Sequence, residues 1–347
     1  MGRPGCIRAV QSLHRIAIFG TLPPYLLRPL ILSSIPQTFS QTKIMPATIN
    51  SRAKLPTDLA SMGKQYKISY RDLLSTNPKT EKSKVQTYIL HLAPDKTSGV
   101  NVCPGAGNCR KVCLHFAGNP VYMTNKQAAR IRRTLAFAAD KQRFARLIVC
   151  AILGKLAKHP GEPIAIRLNG TSDIAWENVD FTIVPEFATF CRVKFGHDLP
   201  IGKRNIFEVF NYIANNGGPK VQFYDYTKIK RNWAECQRLG YHLTFSFDGW
   251  NNAANLKICR DALQAGVNVA AAFNLKRGQS LPDCIDGSRF NLPASCLFTG
   301  GVLAVLDGDL TDYRPSDATG GHIVGLRFKL PHGIKYSEAD KQAFCIA

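Results

Sequence analysis

Three cysteines within eleven residues are the clearest candidates for chemistry in this chain. Cys103, Cys109 and Cys113 are spaced C-x5-C-x3-C in the segment NVCPGAGNCRKVCLHFAG, residues 101–118. The glycines and the proline between them favour a tight loop, in which three thiols can face one centre. Three soft ligands without an obvious fourth leave one coordination position open, as in catalytic rather than structural metal sites. The spacing therefore predicts a metal centre.

Polar residues at the ends of the predicted strands form a second group of candidates. The candidate general bases, which could instead fix a substrate's hydroxyl or amine groups, are Asp173, Asp225 and Asp248. The candidate substrate-binding residues are Asn169, Thr171, Ser172, Tyr226, Lys228, Ser246, Asn274 and Asp307. Because parallel strands end at one edge of a sheet, these residues are expected to line one mouth. The alternative is that they only terminate strands and cap the helices that follow.

A basic segment follows the cysteines. Residues 110–158 contain eleven Lys and Arg residues and one acid, Asp140. Lys126, Arg130 and Arg133 lie at i, i+4 and i+7 of a predicted helix, so they are expected to share one exposed face. This face could bind phosphates beside the cysteine loop, or it could be an ordinary solvated surface.

The elements that must position these residues alternate between strands and helices. Helical patterns separate at least four of the strands, and one long helix is predicted over 124–158. This order predicts an α/β fold that resembles a (β/α) barrel, complete or partly open, with a parallel sheet and outer helices. A doubly wound open sheet is the alternative. The seven predicted strands are 85–94, 163–173, 219–228, 241–249, 267–275, 302–309 and 322–330.

The chain is expected to divide into one folded domain and flanking segments. No acidic residue precedes Asp58, and the first 57 residues hold seven basic ones. Residues 1–60 are therefore interpreted as a disordered basic tail or an over-extended translation start, with an organellar transit peptide as the less favoured alternative. A cytoplasmic protein without a membrane span is expected. The predicted division is a lead-in segment at 61–84, a single domain at 85–330 and a C-terminal tail at 331–347.

Charge and cysteine content limit the class of protein. The chain has 347 residues, a net charge of +21 and eleven cysteines. An excess of positive charge on this scale attracts polyanions, so nucleic acid or a nucleotide is the expected partner. The alternative is that the charge only aids solubility. An odd number of cysteines in a long chain favours reduced thiols.

The order of these motifs resembles the phage gene product 88 family, whose function is unknown. A looser similarity is to radical S-adenosylmethionine enzymes, in which three cysteines after the first barrel strand hold a 4Fe–4S cluster. That similarity implies a cluster on Cys103, Cys109 and Cys113, with zinc as the alternative metal and S-adenosylmethionine as a further cofactor. The usual spacing in those enzymes is C-x3-C-x2-C. The gene product 88 resemblance implies the cytoplasm of a bacterial host. It rests on LHLAPDKTSGVNVCPGAGNCRKVCLHFAG, NKQAARIRRT, RLNGTSDIAWE, VQFYDYTK, HLTFSFDG and LDGDLTDYRPSDATGGHIVGL.

Three hypotheses about function follow. The first is an enzyme, of the radical S-adenosylmethionine type or another, that has an iron–sulfur or zinc centre and acts on a nucleotide or nucleic acid. The second is a nucleic-acid-binding protein whose cysteines form a structural clip without catalysis. The third is a structural or host-interaction phage protein whose cysteines belong to the core.

Overall fold

The computed structural model describes most of the chain. The described residues are 49–50, 52–77, 80, 85–113, 124–276, 278–292, 301–329 and 336–346. Outside the described residues lie the part of the predicted tail before residue 49, residues 114–118 of the cysteine loop and residues 331–335. Among the described residues no helix is both long and apolar enough to cross a bilayer.

Eight α-helices and eleven strands occur among the described residues. The helices are α1 (Thr57–Tyr66), α2 (Thr124–Ala139), α3 (Lys141–Leu156), α4 (Pro185–Phe195), α5 (Ile206–Asn215), α6 (Trp233–Arg238), α7 (Ala253–Gln264) and α8 (Glu338–Phe344). The strands are β1 (Leu74–Ser75), β2 (Gln86–Leu90), β3 (Ile164–Arg167), β4 (Phe181–Ile183), β5 (Gly202–Arg204), β6 (Val221–Thr227), β7 (Tyr241–Ser246), β8 (Val269–Phe273), β9 (Cys284–Asp286), β10 (Val302–Asp307) and β11 (Ile323–Arg327).

Nine of these strands form one mixed sheet, in the order β1-β2-β3-β6-β7-β8-β11-β10-β9. The seven central strands are parallel, and β1 and β9 pair antiparallel at the two edges. All seven strands that the sequence predicts are present, as β2, β3, β6, β7, β8, β10 and β11. Strands β4 and β5 form a separate antiparallel pair.

Five of the central strands, β2 to β8, follow one another across the sheet in chain order. From β2 to β8, each new parallel strand is added beside the previous one, without the reversal of order that defines a doubly wound sheet. Strands β1 and β9 remain at opposite edges, and no pairing among the described residues joins them. The α/β class is therefore confirmed, whereas closure into a barrel is not shown.

Apolar residues on one face of the sheet bind it to the helices. The ring of Phe207 on α5 lies 4.9 Å from the ring of Phe223 on β6 and 4.4 Å from that of Tyr241 on β7. A capping box fixes the start of α5, because Asn205 and Glu208 accept each other's backbone N–H. This packing fixes the amino-terminal parts of β6 and β7 against α5, and the candidate site is built on the opposite, carboxyl ends of these strands.

The predicted helix over 124–158 is wrong in one respect, because it is two helices. Asp140 adopts an extended φ of −155° between them, and its side chain accepts the backbone N–H of Arg143. The break leaves the N–H groups in the first turn of α3 without intrahelical partners. The Asp140 side chain accepts one of them, and this capping favours a new helix start at this point. Apolar residues of α3, among them Leu147, Ile148 and Ile152, are fully buried.

Candidate functional site

The cysteine loop is fixed to the carboxyl end of β7 by Asp248. The side chain of Asp248 is fully buried, and its Oδ2 and Oδ1 accept the backbone N–H groups of Asn108 at 2.8 Å and Cys109 at 3.0 Å. Asn252, the N-cap of α7, donates to Oδ2 at 2.9 Å. The Lys228 Nζ lies 3.3 Å from Oδ1 and balances the charge. Asp248 therefore acts as the anchor of the loop.

Two glycines allow the loop to approach the sheet closely. A Cβ on Gly107 would collide with the Asp248 carboxylate. A Cβ on Gly105 would lie 2.9 Å from the side chain of Ile229 and 3.0 Å from the backbone of Lys228, just after β6. Side chains at these positions would push the loop away from β6 and β7, so the glycines set the depth of the cysteines at the sheet edge.

The first cysteine is held at the end of β3. The backbone N–H of Asp95 donates to Cys103 Sγ at 3.2 Å, and that thiol points to the carbonyl of Thr171 at 3.7 Å. The N–H of Asp173 donates to the carbonyl of Val102 at 2.8 Å. The predicted site residues Thr171 and Asp173 therefore flank Cys103.

The three thiols differ from the other cysteines in their exposure. Cys103, Cys109 and Cys113 are half-buried, whereas the other cysteines of the described residues that form no disulfide are buried: Cys150, Cys191, Cys236, Cys259 and Cys345. Cys284, which is disulfide-bonded, is an exception to the free thiols expected from the cysteine count.

Burial favours the protonated forms of Cys103 and Cys109. It raises the pKa of Cys103 to about 12 and the pKa of Cys109 to about 11, although Lys228 lowers the latter in part. The three sulfur atoms interact electrostatically with one another. Within the described part of the chain, however, no group of three or more His, Cys, Asp or Glu side chains is arranged to hold a metal ion. The thiols are neighbours, but they do not form a closed ligand set.

Asp173 belongs to a buried ion-pair cluster. Its Oδ1 accepts Thr227 Oγ1 at 2.8 Å and Arg231 Nη2 at 2.9 Å, and its Oδ2 accepts the N–H of Lys228 at 2.7 Å. Arg231 also binds both carboxylate oxygens of Glu177, at 2.9 and 2.7 Å. These bonds join the exits of β3 and β6, so the carboxylate supports the rim on which the loop rests.

Asp225 also joins the end of β3 to β6, and it lies within β6 rather than after it. It is fully buried, and it accepts the backbone N–H groups of Leu168 at 2.9 Å and Asn169 at 3.0 Å and the hydroxyl of Tyr241 at 2.9 Å. Burial raises the pKa of Asp225 to about 6, while Arg167 and these hydrogen bonds lower it in part. The Asn169 side chain organises the turn that follows, accepting from Ser172 Oγ at 3.0 Å.

The remaining substrate-binding candidates do not all meet at the loop. Ser246 is half-buried, and its carbonyl accepts the side chain of Asn255 at 3.1 Å. Asn274 is exposed, and Asp307 forms a two-point ion pair with Arg327 at 2.9 and 3.0 Å. Tyr226 lies beside Arg167, 5.2 Å from ring centre to guanidinium. Thr171, Asp173, Lys228 and Asp248 are thus brought to the cysteines, whereas Asn274 and Asp307 have other partners.

The expectation that Lys126, Arg130 and Arg133 share one exposed face is wrong for Arg130. Lys126 is exposed, but Arg130 is only 9% exposed and interacts electrostatically with Cys113. Arg133 donates to the carbonyl of Asp72 at 2.7 Å. Helix α2 packs against residues 57–77, which supply α1, and this packing turns two of the three cations inward. Only Lys126 remains on a solvated face.

The C-terminal segment contacts the cysteine loop, which the sequence reading missed. The Lys111 Nζ in the loop lies 3.1 Å from the carboxylate of Asp340 on α8. The N–H of Trp250, two residues after Asp248, donates to the carbonyl of Ala343 at 2.8 Å. The site therefore includes residues interpreted as a tail. No pattern within 331–347 announces this contact.

Glu177 was missed as a site residue, and its pairing with Arg231 was not expected, because neither residue directly follows a predicted strand. The available signal was a group of acids, Asp173, Glu177 and Asp180, in a stretch without Lys or Arg. A comparison with known families places these motifs in context. Residues 66–347 match the family model described as gene product 88. The chain belongs to the gene product 88 family. For this gene product 88 protein, no curated protein and no solved structure gives a match.

Proposed function

We propose that this protein is an enzyme with a thiol-ligated metal centre on Cys103, Cys109 and Cys113, acting on a nucleotide or nucleic acid. The observation that carries the proposal is the placement of three half-buried thiols on one anchored loop, at the edge where β3, β6 and β7 end. In parallel α/β enzymes this edge carries the working residues. Thiolate ligands suit an iron–sulfur cluster or zinc.

The three sulfur atoms are suitable ligands for such a centre, but they would have to move closer together to bind it. As arranged, no group of three candidate ligands among the described residues could hold an ion, so binding would have to draw the three sulfur atoms together. Three thiols supply three ligands to a 4Fe–4S cluster and leave one position for an external ligand. S-adenosylmethionine at that position is the finer form of the proposal.

Positive charge supports the choice of substrate class. The chain carries a net charge of +21, and Lys228 and Arg130 lie beside Cys109 and Cys113 respectively. Cations next to a reactive centre favour an anionic substrate, and phosphates are the commonest such groups.

Metal analysis of anaerobically purified protein tests the proposal. We expect a coloured protein with about four iron and four sulfide per chain, or about one zinc if the centre is a zinc site. Cys109→Ser should lower the metal content, whereas Cys259→Ser, which changes a buried thiol on α7, should retain it. Addition of S-adenosylmethionine to the iron-loaded protein should change the absorption spectrum if it occupies the open position. A colourless protein without iron or zinc would overturn the proposal.

A nucleic-acid-binding protein without catalysis is the second candidate, and one observation favours it. Asp173, Asp225 and Asp248 each use both carboxylate oxygens to hold backbone or side-chain groups of the fold. None of the three is therefore free to act as a general base. Fluorescence anisotropy with labelled DNA and RNA, at roughly 50 and 200 mM salt, tests this candidate. It predicts strongly salt-dependent binding that Cys109→Ser leaves unchanged.

A further inference from the structure

The face of the sheet opposite α5, α6 and α7 has an unusual composition. On β6 and β7, the residues that pack toward the helices are aromatic or aliphatic except for Asp225 and Thr227 near the end of β6, and the residues on the other face are polar. A parallel sheet buried on both faces normally carries aliphatic residues on both. We call this second face the polar face. Its members are Arg167, Tyr224, Tyr226, His242 and Thr244.

The connection between β10 and β11 covers the polar face. The ring of Tyr313 packs edge-on against Tyr224 at 5.6 Å. Arg314, in the next position, is fully buried and pairs with Asp317 at 3.0 Å. Asp312 lies 3.5 Å from Arg167 Nη1. Each of the two arginines thus has a carboxylate partner, and their charges are balanced without a ligand.

Several polar atoms between the sheet and this connection have no hydrogen-bond partner. Thr244 and Arg314 are fully buried, and neither Thr244 Oγ1 nor Arg314 Nε is hydrogen-bonded to any described residue. The same holds for Arg167 Nε and His242 Nε2. Native proteins pair nearly all buried polar groups. Because the charges are already balanced, a ligand that met these atoms would do so through hydrogen bonds rather than through charge.

The aromatic groups beside these atoms favour a planar partner. The Arg167 guanidinium lies 5.6 Å from the centre of the Tyr224 ring and 5.2 Å from that of Tyr226. Tyrosine rings and guanidinium planes stack on nucleobases, and N–H, hydroxyl and imidazole groups read their carbonyl oxygens and ring nitrogens. Small anions would use the hydrogen bonds but not the rings.

We propose that the polar face binds an uncharged planar heterocycle, the nucleobase of a nucleoside or nucleotide. The inference deepens the proposed function and rests on it only for the substrate class. Thr244 is followed on the same face of β7 by the half-buried Ser246, and Asp248 lies two residues further. Since Asp248 holds Cys109, a base on the polar face would lie on the path to the cysteine loop.

Calorimetric titration of the full, metal-free chain tests this inference. The probes are adenosine, guanosine, cytidine and uridine, with ribose 5-phosphate as a probe that lacks a base. At least one nucleoside should bind, and ribose 5-phosphate should not. Thr244→Val keeps the shape of the side chain and removes the unpaired hydroxyl, so it should weaken binding about tenfold. Because the titration uses metal-free protein, its outcome does not depend on whether the cysteines bind a metal.

Two controls make the outcome specific. Thr182→Val changes an exposed threonine on β4 and should leave nucleoside affinity unchanged. Without ligand, Thr244→Val should unfold at the same temperature as the parent or higher, because it removes an unsatisfied buried group. If that variant does not fold, His242→Gln at a half-buried position carries the same expectation. Absence of nucleoside binding, unchanged affinity in a folded variant or equal binding of ribose 5-phosphate would each overturn the inference.

Discussion

The backbone N–H of Cys109 donates to Oδ1 of Asp248 at 3.0 Å, although 139 residues separate them in the chain. Hydrogen bonds to a buried carboxylate are among the strongest in proteins. The position of the central thiol is therefore set by the end of β7 and not by the strand that precedes the loop. A loop fixed at this distance in sequence depends on the completed sheet.

Asp248→Asn should destabilise the protein by about 2–4 kcal/mol. Asparagine has one acceptor oxygen instead of two, so it would direct an N–H at either Asn108 or Cys109, and it would leave Lys228 without a carboxylate partner. The free energy of unfolding in urea measures the loss. The metal content of the folded fraction should fall as well, because the loop loses its anchor.

Asp261→Asn is the matched control for this change. Asp261 on α7 pairs with Lys230 at 3.3 Å, but the Lys230 side chain is 67% exposed. An exposed pair contributes about 0–1 kcal/mol. A loss for Asp248→Asn no larger than for Asp261→Asn would contradict the anchoring role.

Gly107→Ala should displace the cysteine loop. The added Cβ would collide with the Asp248 carboxylate and lie 2.9 Å from Asn252 Nδ2, so the loop must move or the anchor must open. We expect a loss of about 2–3 kcal/mol in the free energy of unfolding. Gly154→Ala is the control, since its Cβ on α3 would meet only ordinary contacts at 3.8 and 3.9 Å. It should stabilise the protein by about 0.5–1 kcal/mol. Equal effects of the two changes would contradict the steric argument.

The parallel core could be predicted because its signal is local. Each central strand is a short apolar run, five of the seven runs end in a polar cluster, and all seven are strands in the structure. Strand β1 has two residues and β9 has three, so their pairing at the sheet edges depends on neighbours that no local pattern reveals. The order of the strands is likewise a property of the completed fold.

The sequence could predict where the polar residues at the strand ends lie, but not which groups they bind. Asp225 was expected to lie at a strand end, and it does. That its oxygens bind the backbone of Leu168 and Asn169 depends on the register between β3 and β6. The burial of Arg130 was missed for a similar reason: helical spacing shows which residues share a face but not what covers that face.

Arg231→Met should cost about 3–5 kcal/mol of folding free energy. The guanidinium is 1% exposed and pairs with Asp173 at 2.9 Å and Glu177 at 2.7 Å, so its removal leaves two buried carboxylates without a cation. Arg238→Met on α6 removes an exposed pair with Glu235 and should cost less than about 1 kcal/mol. Chemical denaturation of both variants measures the difference. Similar losses would show that the buried cluster does not hold the rim.

Asp225 should give the folded protein a distinctive dependence on pH. Burial raises its pKa from an ordinary 3.8 to about 6 in the folded state. Between these values the folded state binds the proton more tightly, so the contribution to stability is present below pH 3.8 and falls as pH rises through 6. At 1.36 kcal/mol per unit, the total fall is about 3 kcal/mol.

Comparison of the parent with Asp225→Asn isolates this contribution. Asparagine does not titrate, and its lost acceptor adds an offset that does not depend on pH. The free energy of unfolding, measured in urea at intervals from pH 4 to pH 8, should therefore give a parent-minus-variant difference that decreases up to about pH 6 and is constant above 7. Half-buried His242, whose pKa is lowered by burial and by Arg314, affects both proteins alike and cancels. A difference that stays constant or increases over this range would mean that Asp225 is ionised in the folded protein throughout.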